Sequence, residues 1–167
     1  MRDTTGNRLR ISDIKAQAHD ARHPDGMERL LALVHDADPV VSRNAAWVMT
    51  HFDAVQIAQL QPRQDELIDL ILSTTNTSLR RLLLNVVERQ QMTADSLRTD
   101  FLDFCLAHTA DPQEQPGIQS LCMKLAYRQC RFFPELMHEF RAVLSLMDSS
   151  YAKSVLSLRR KYARLAE

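Results

Sequence analysis

Asp38-Pro39-Val40-Val41-Ser42-Arg43-Asn44-Ala45-Ala46-Trp47-Val48-Met49 reads as the opening of a helix. An Asp followed by Pro places a side-chain acceptor at the N-cap and a ring-locked φ at the first helical position. Behind it, Val41, Ala45, Val48, Met49 and Phe52 recur at helical spacing, with polar Asn44 interrupting the i+3 place. Just upstream stands a dense apolar block, Leu30-Leu31-Ala32-Leu33-Val34. Two apolar helices separated by so short a turn form a pair. Neither can bury its stripe alone, so the pair demands neighbours of its own kind.

The neighbours are present. The block returns as Leu67-Ile68-Asp69-Leu70-Ile71, as Phe101-Leu102-Asp103-Phe104-Cys105, and in degraded form as Leu136-Met137-His138-Glu139-Phe140, at offsets of 37, 34 and 35 residues. A second helix follows each one. Leu79, Leu82, Leu83, Val86 and Val87 make its stripe in the second copy; Ile118, Leu121, Cys122, Leu125 and Ala126 make it in the third. The fourth, Tyr151, Val155, Leu158 and Tyr162, is looser. An internal period in this range is the signature of a stacked repeat.

These patterns predict first helices near 26–36, 64–74, 97–108 and 134–147, and partners near 39–52, 77–90, 116–131 and 150–165. Thr77 or Ser78 is the expected cap of the second copy's partner helix, Ser149 or Ser150 that of the last, and Pro134 opens its helix as Pro39 does. Residues 108–117 are the longest non-periodic stretch and read as a loop. A leading helix near 10–21, with Ile11, Ile14, Ala18 and Ala21, would cap one end, and a short helix near 54–61 would join the first two pairs.

The stretch at 38–49 resembles the second helix of a HEAT repeat, whose pattern sets an Asp in the turn, then a Val, an Arg and small packed residues. Asp38, Val41, Arg43, Ala45 and Ala46 match it, with Ser42 between the Val and the Arg. Arg80 and Arg81 keep a basic residue in the Arg region of the second copy, and Ser120 stands there in the third. The resemblance implies an all-α, armadillo-type fold: a right-handed α-α superhelix, a short HEAT-like solenoid of about four helix pairs plus an N-terminal capping helix. Residues 1–167 would form one domain, with the cap over 1–25 and repeats near 26–61, 62–93, 94–132 and 133–167. It also implies a binding scaffold whose second helices line a concave surface.

Composition supports a globular, helical chain. Of 167 residues, 45% are apolar and 25% charged, while glycine numbers 3 and proline 6. Basic and acidic side chains are equal at 21 each, whereas a dedicated nucleic-acid binder carries a basic excess. The balance is uneven along the chain: residues 1–75 hold 8 basic and 11 acidic side chains, residues 76–167 hold 13 and 10. The sharpest cluster is Lys153, Arg159, Arg160, Lys161 and Arg164, read as a solvated face. Cys105, Cys122 and Cys130 are odd in number and read as small core hydrophobes. No apolar run approaches the ~18 residues of a membrane span. A reducing cytoplasm is the expected compartment.

No phosphate loop, dinucleotide fingerprint, nucleophile elbow or metal-binding His or Cys motif occurs. His19 and His23 lie one helical turn apart and could face a metal, but helix-end His and Asp residues are ordinary dipole partners. The carboxylate pairs Asp65/Asp69 and Glu135/Glu139 read as exposed helix faces. No cofactor, metal or catalytic residue is therefore expected. Enzyme activity stays open, with the non-enzymatic reading favoured.

The candidate partner-binding residues are Arg43, Trp47, Arg80, Arg81, Lys124, Arg128 and Arg131, on the sides of the second helices away from the stripes. Trp and Arg are enriched at binding hot spots. Two readings stay open for these residues: a binding surface, or Trp47 packed between repeats with the arginines covering helix ends. The leading function is a protein-interaction module presenting a mixed-charge face to a protein or peptide. The alternative is a nucleic-acid-binding or DNA-repair protein resembling HEAT-like alkylbase glycosylases. A homo-oligomer is left open.

Overall fold

A computed structural model describes residues 10–167. Residues 1–9 of the expected cap, and the Ile11 side chain on its stripe, lie outside the described residues. The chain divides into two compact units, one ending at Gln90 and the other spanning Gln91–Glu167. The division falls between the second and third repeats.

The first unit holds α1 (Ile11–Asp20), α2 (Pro24–Val34), α3 (Pro39–Met49), α4 (Ala54–Leu60), a 3-10 turn (Gln61–Arg63), α5 (Gln64–Ser73) and α6 (Thr77–Arg89). The second holds a 3-10 turn (Ala94–Ser96), α7 (Thr99–Ala110), α8 (Pro116–Cys130), α9 (Pro134–Ser145) and α10 (Lys153–Leu165). No strand occurs among the described residues. The four pairs are α2/α3, α5/α6, α7/α8 and α9/α10. The loop expected over 108–117 is shorter than that, because α7 runs to Ala110 and Pro116 opens α8.

The repeat has one register. In the first three blocks the first, second and fifth residues are buried: Leu30, Leu31 and Val34; Leu67, Ile68 and Ile71; Phe101, Leu102 and Cys105. In the degraded fourth block only Phe140 is. A fully buried side chain of this kind contributes ~1.5–3 kcal/mol, so the triplets are the anchors of the stack.

In the first copy Ala45, Val48, Met49 and Phe52 are buried as expected, and the stripe departs from expectation only at its start, where Val41 is half-buried. Ser42, 37 residues before Leu79, takes the buried place that Val41 was expected to fill, and Asn44 is buried rather than a break. The cause is that α3 packs against α1, α2 and α6 together, so nearly its whole circumference is covered. Polar atoms enter such a core only when paired. Gln56 Nε2 donates to the Ala18 carbonyl (2.6 Å) and Gln90 Nε2 to the Leu60 carbonyl (3.0 Å), each tying two helices.

Two caps differ from expectation. Asn76, not Thr77 or Ser78, caps α6, its Oδ1 accepting from Leu79 N at 3.1 Å. The last helix starts three residues after Ser150 and has no side-chain cap; Ser150 turns around Asp148 instead. Asp38 caps α3 as expected, accepting from Val40 N at 2.8 Å.

Helix C-termini follow an unusual rule. No described residue has positive φ, so none of these helices ends in the left-handed glycine cap that commonly satisfies terminal carbonyls. At the ends of α3, α5, α9 and α10, arginines from neighbouring helices supply donors instead. On α6, Arg80 donates to the Ile71 and Thr74 carbonyls at the end of α5, and Arg89 to the Thr50 and Phe52 carbonyls beyond α3. In the second unit Arg159 donates to Leu144 O (2.7 Å) and Arg141 to Ala166 O (2.9 Å).

The three cysteines are free and buried. Burial, with Cys122 beside it, pushes the Cys105 thiol far above its ordinary value. Burial, reinforced by the Glu139 charge, pushes Cys130 from 9.0 up to about 12. A raised folded-state value means that the native state holds the proton more tightly than the unfolded chain does. That stabilisation is complete below about pH 9 and is lost as the pH climbs towards 12. Urea midpoints measured across this window should fall more steeply for the native chain than for Cys130→Ala.

Gly26 sits where the first turn of α2 meets the end of α1. A Cβ there would lie 2.3 Å from the Asp20 carbonyl oxygen and 3.1 Å from the Ala21 Cα. Both are backbone atoms, so no side chain can swing aside. Gly26→Ala should lower stability by ~1–3 kcal/mol, seen as a lower urea midpoint at unchanged slope.

Candidate functional site

The sequence-derived residues fall on both units. In the first, α3 carries Arg43 and Trp47, and α6 carries Arg80 and Arg81. In the second, Lys124 and Arg128 lie on α8, with Arg131 as its C-cap.

Arg43, Trp47 and Arg81 come together. With Ser78 and Leu82 they line a cleft of about 160 Å³ between α3 and α6. That is below the ~300–1,000 Å³ of small-molecule pockets, and suits an inserted side chain better than a cofactor. Trp47 is half-buried and lines the cleft. Arg43 is half-buried and reaches Asn44 Oδ1 at 3.3 Å; Arg81 is exposed. No acidic side chain lines the cleft.

Arg80 leaves this group. Its guanidinium is spent on the end of α5, and its side chain is half-buried there. Adjacent arginines one helical step (~100°) apart thus have separate roles, one closing a helix and one lining a surface.

A second cleft of about 250 Å³ lies beyond the C-terminal end of α3, between α1 and the start of α4. Lys15, Ala18, His19, Arg22, His51, Asp53 and Gln56 line it. His51 joins the two, its ring lying edge-on to Trp47 at 6.3 Å and its Nδ1 donating to the Trp47 carbonyl at 3.0 Å. Asp53 is committed elsewhere: it accepts from Gln56 N (2.9 Å) to cap α4 and pairs with Arg22 (3.1 Å). The bond from the Gln56 amide is the main reason its carboxyl lies below the ordinary value. Sequence reading missed this cleft because its residues come from three separate segments. The only signal was the i, i+4, i+7 spacing of Lys15, His19 and Arg22.

Charge is sorted between helices. The second helices α3 and α6 carry Arg43, Arg80, Arg81 and Arg89 against Glu88 alone. On α2, the turn at 61–63 and α5 stand Asp25, Glu28, Asp65, Glu66 and Asp69 against Arg29 and Arg63. There Arg63 bridges Glu28 (2.9 Å) and Glu66 (2.6 Å), and His35 Nε2 meets Glu66 at 2.7 Å. Burial pushes Glu66 up, but Arg63 and His35 outweigh it and hold the carboxyl below its ordinary value. Exposed pairs of this kind contribute ~0–1 kcal/mol each.

In the second unit, Lys124 and Arg128 are half-buried and Arg131 is exposed, its guanidinium lying 5.1 Å from the Phe132 ring centroid. Tyr127 between them is half-buried, its ring tilted against Tyr162 (4.9 Å) and Phe140 (5.9 Å). Among the described residues no three His, Cys, Asp or Glu side chains converge as metal ligands, and no helix is long and apolar enough to cross a membrane. Glu135 and Glu139 are exposed, as are Asp65 and Asp69.

A family model described as a HEAT repeat domain matches residues 1–164. Comparison with curated proteins and with solved structures gives no significant match.

The neighbouring arginines make a direct test. Arg80→Ala leaves α5 carbonyls unsatisfied and should cost ~1–2 kcal/mol in urea unfolding. Arg81→Ala should stay within ~0.5 kcal/mol of the native chain. Equal losses would refute the division of labour.

Proposed function

The chain belongs to the HEAT repeat family, and from that premise we propose that it is a non-enzymatic protein-interaction module that binds its partner on the α3–α6 face of the first unit. One observation carries the reading: Arg43, Trp47 and Arg81, distant in sequence, share one cleft with no acidic side chain in its lining. A half-buried indole with guanidinium groups around it supplies apolar area and directed donors, the combination enriched at interface hot spots. Lys124, Arg128 and Arg131 of α8 are a second, separate contact surface in this reading. A cytoplasmic location goes with it, supported by three buried thiols, none of them bridged.

The measurement is affinity capture with the native chain and with the Arg43→Glu/Arg81→Glu variant, followed by reconstitution of the captured protein with purified chain in light scattering. A defined complex that forms with the native chain and not with the variant is expected. Reconstitution unaffected by the double reversal would overturn the assignment of this face, and Arg128→Glu in parallel reports on α8.

A further inference from the structure

We propose that these two clefts of the first unit read one extended acidic peptide, with an acidic residue in each cleft and an apolar residue between them on Trp47. The inference rests on the α3–α6 reading and adds the chemistry of the partner. Arg43 and Trp47 stand four residues apart on α3 and so share one side of it, and His51, in the turn just beyond the helix end, is held beside Trp47 by its bond to the Trp47 carbonyl. The row of three begins in the cleft that Arg81 completes and ends in the cleft that Lys15 completes.

Charge complementarity selects an anionic occupant. The upper cleft holds two guanidinium groups and no acid. In the lower cleft the one carboxylate, Asp53, is already paired with Arg22 and bonded to the Gln56 amide. Lys15 and His19 are exposed there, and the Lys15 ammonium supplies the cleft's donors to an acidic side chain. Arg43 and His51 are eight residues apart, helical to Met49 and continued by a hydrogen-bonded turn, a rise of ~12 Å. An extended chain advances ~3.3 Å per residue and covers that distance in about four residues. The pattern read is therefore acidic–x–apolar–x–acidic.

The same spacing disfavours a nucleic-acid strand. Its phosphates come with every nucleotide, so charge would fall against the apolar centre as well as at the two cationic ends. The acidic side chains on α2 and α5 would also oppose a polyanion extending beyond the clefts. A peptide can leave its middle uncharged.

Trp47 is the only tryptophan in the chain, so its fluorescence reports occupancy directly. The probe is a Gly/Ser-flanked peptide Glu-Ser-Leu-Ser-Glu, titrated against versions with both Glu changed to Gln, with Leu changed to Ser, and with the two Glu adjacent. A short oligothymidylate is run beside them. Saturable binding is expected for the spaced peptide, weakened roughly tenfold in each control and roughly tenfold by Arg81→Glu or Lys15→Glu. Both substitutions are at exposed positions, and circular dichroism confirms that the variants fold. Equal binding of the Gln peptide, no effect of Lys15→Glu, or tighter, salt-dependent binding of the oligonucleotide would each overturn the proposal. A reconstituted protein complex lost in Arg43→Glu/Arg81→Glu, with no spaced peptide bound, would overturn this inference and leave the interaction module standing. Loss of neither would remove both.

Discussion

Every α-helix ends with carbonyl groups that have no partner within the helix, and this chain must satisfy them almost without glycine. The constraint shapes much else. Left-handed caps are absent among the described residues, so the carbonyls that the cap backbone N–H groups leave open take side-chain donors from other helices, and arginine, long and rich in N–H groups, supplies them at four helix ends. Arg80 and Arg89 serve α5 and α3 from α6, while Arg159 and Arg141 serve α9 and α10 from each other's helices. Each such contact fixes the end of one helix against the flank of another. The stack is thus held by its apolar triplets in the middle and by guanidinium groups at the ends.

The use of arginine in this way clarifies what is left over. Counting basic residues on the second helices overstates the surface available to a partner, because half of those on α3 and α6 are bound to carbonyls. Arg43 and Arg81 are the pair that lines a cleft. Close packing of α3 on three neighbours then confines the accessible strip to a single row, with Trp47 at its centre. The face is narrow because the core is broad. Acidic residues collect on α2, α5 and the turn before α5, where His35, Glu66, Arg63 and Glu28 neutralise one another, and the cationic row stays distinct on a nearly neutral chain.

Helix positions were legible from the apolar period, since a run such as Leu79, Leu82, Leu83, Val86 and Val87 admits one phase. The first copy was harder. Ser42 and Asn44 are buried there, and a reading weighted by hydropathy passes over polar residues that packing against α1, α2 and α6 covers. The N-cap of α6 shows the same limit at short range. Asn76, Thr77 and Ser78 are all competent caps, and the backbone turn after Thr74 decides among them. Arg43, Trp47 and Arg81 were recognisable as candidates, but not as one site, because their meeting depends on how α3 lies against α6. The lower cleft was out of reach for the same reason. The ambiguity between Arg80 and Arg81 could be removed only by the position of the α5 terminus.

At the corner between α1 and α2, the contact is backbone against backbone. Gly26 is not there to lend flexibility; its φ is ordinary. It is there because hydrogen is the only substituent that fits below the Asp20 carbonyl. Any missense change of a glycine codon adds at least a β-carbon, so this position has no neutral neighbour in sequence space. Beside it, Asp25 is exposed and can drift freely. In lineages that keep this corner, codon 26 should stand fixed amid changing surroundings, a mark of selection acting on a distance rather than on a side chain.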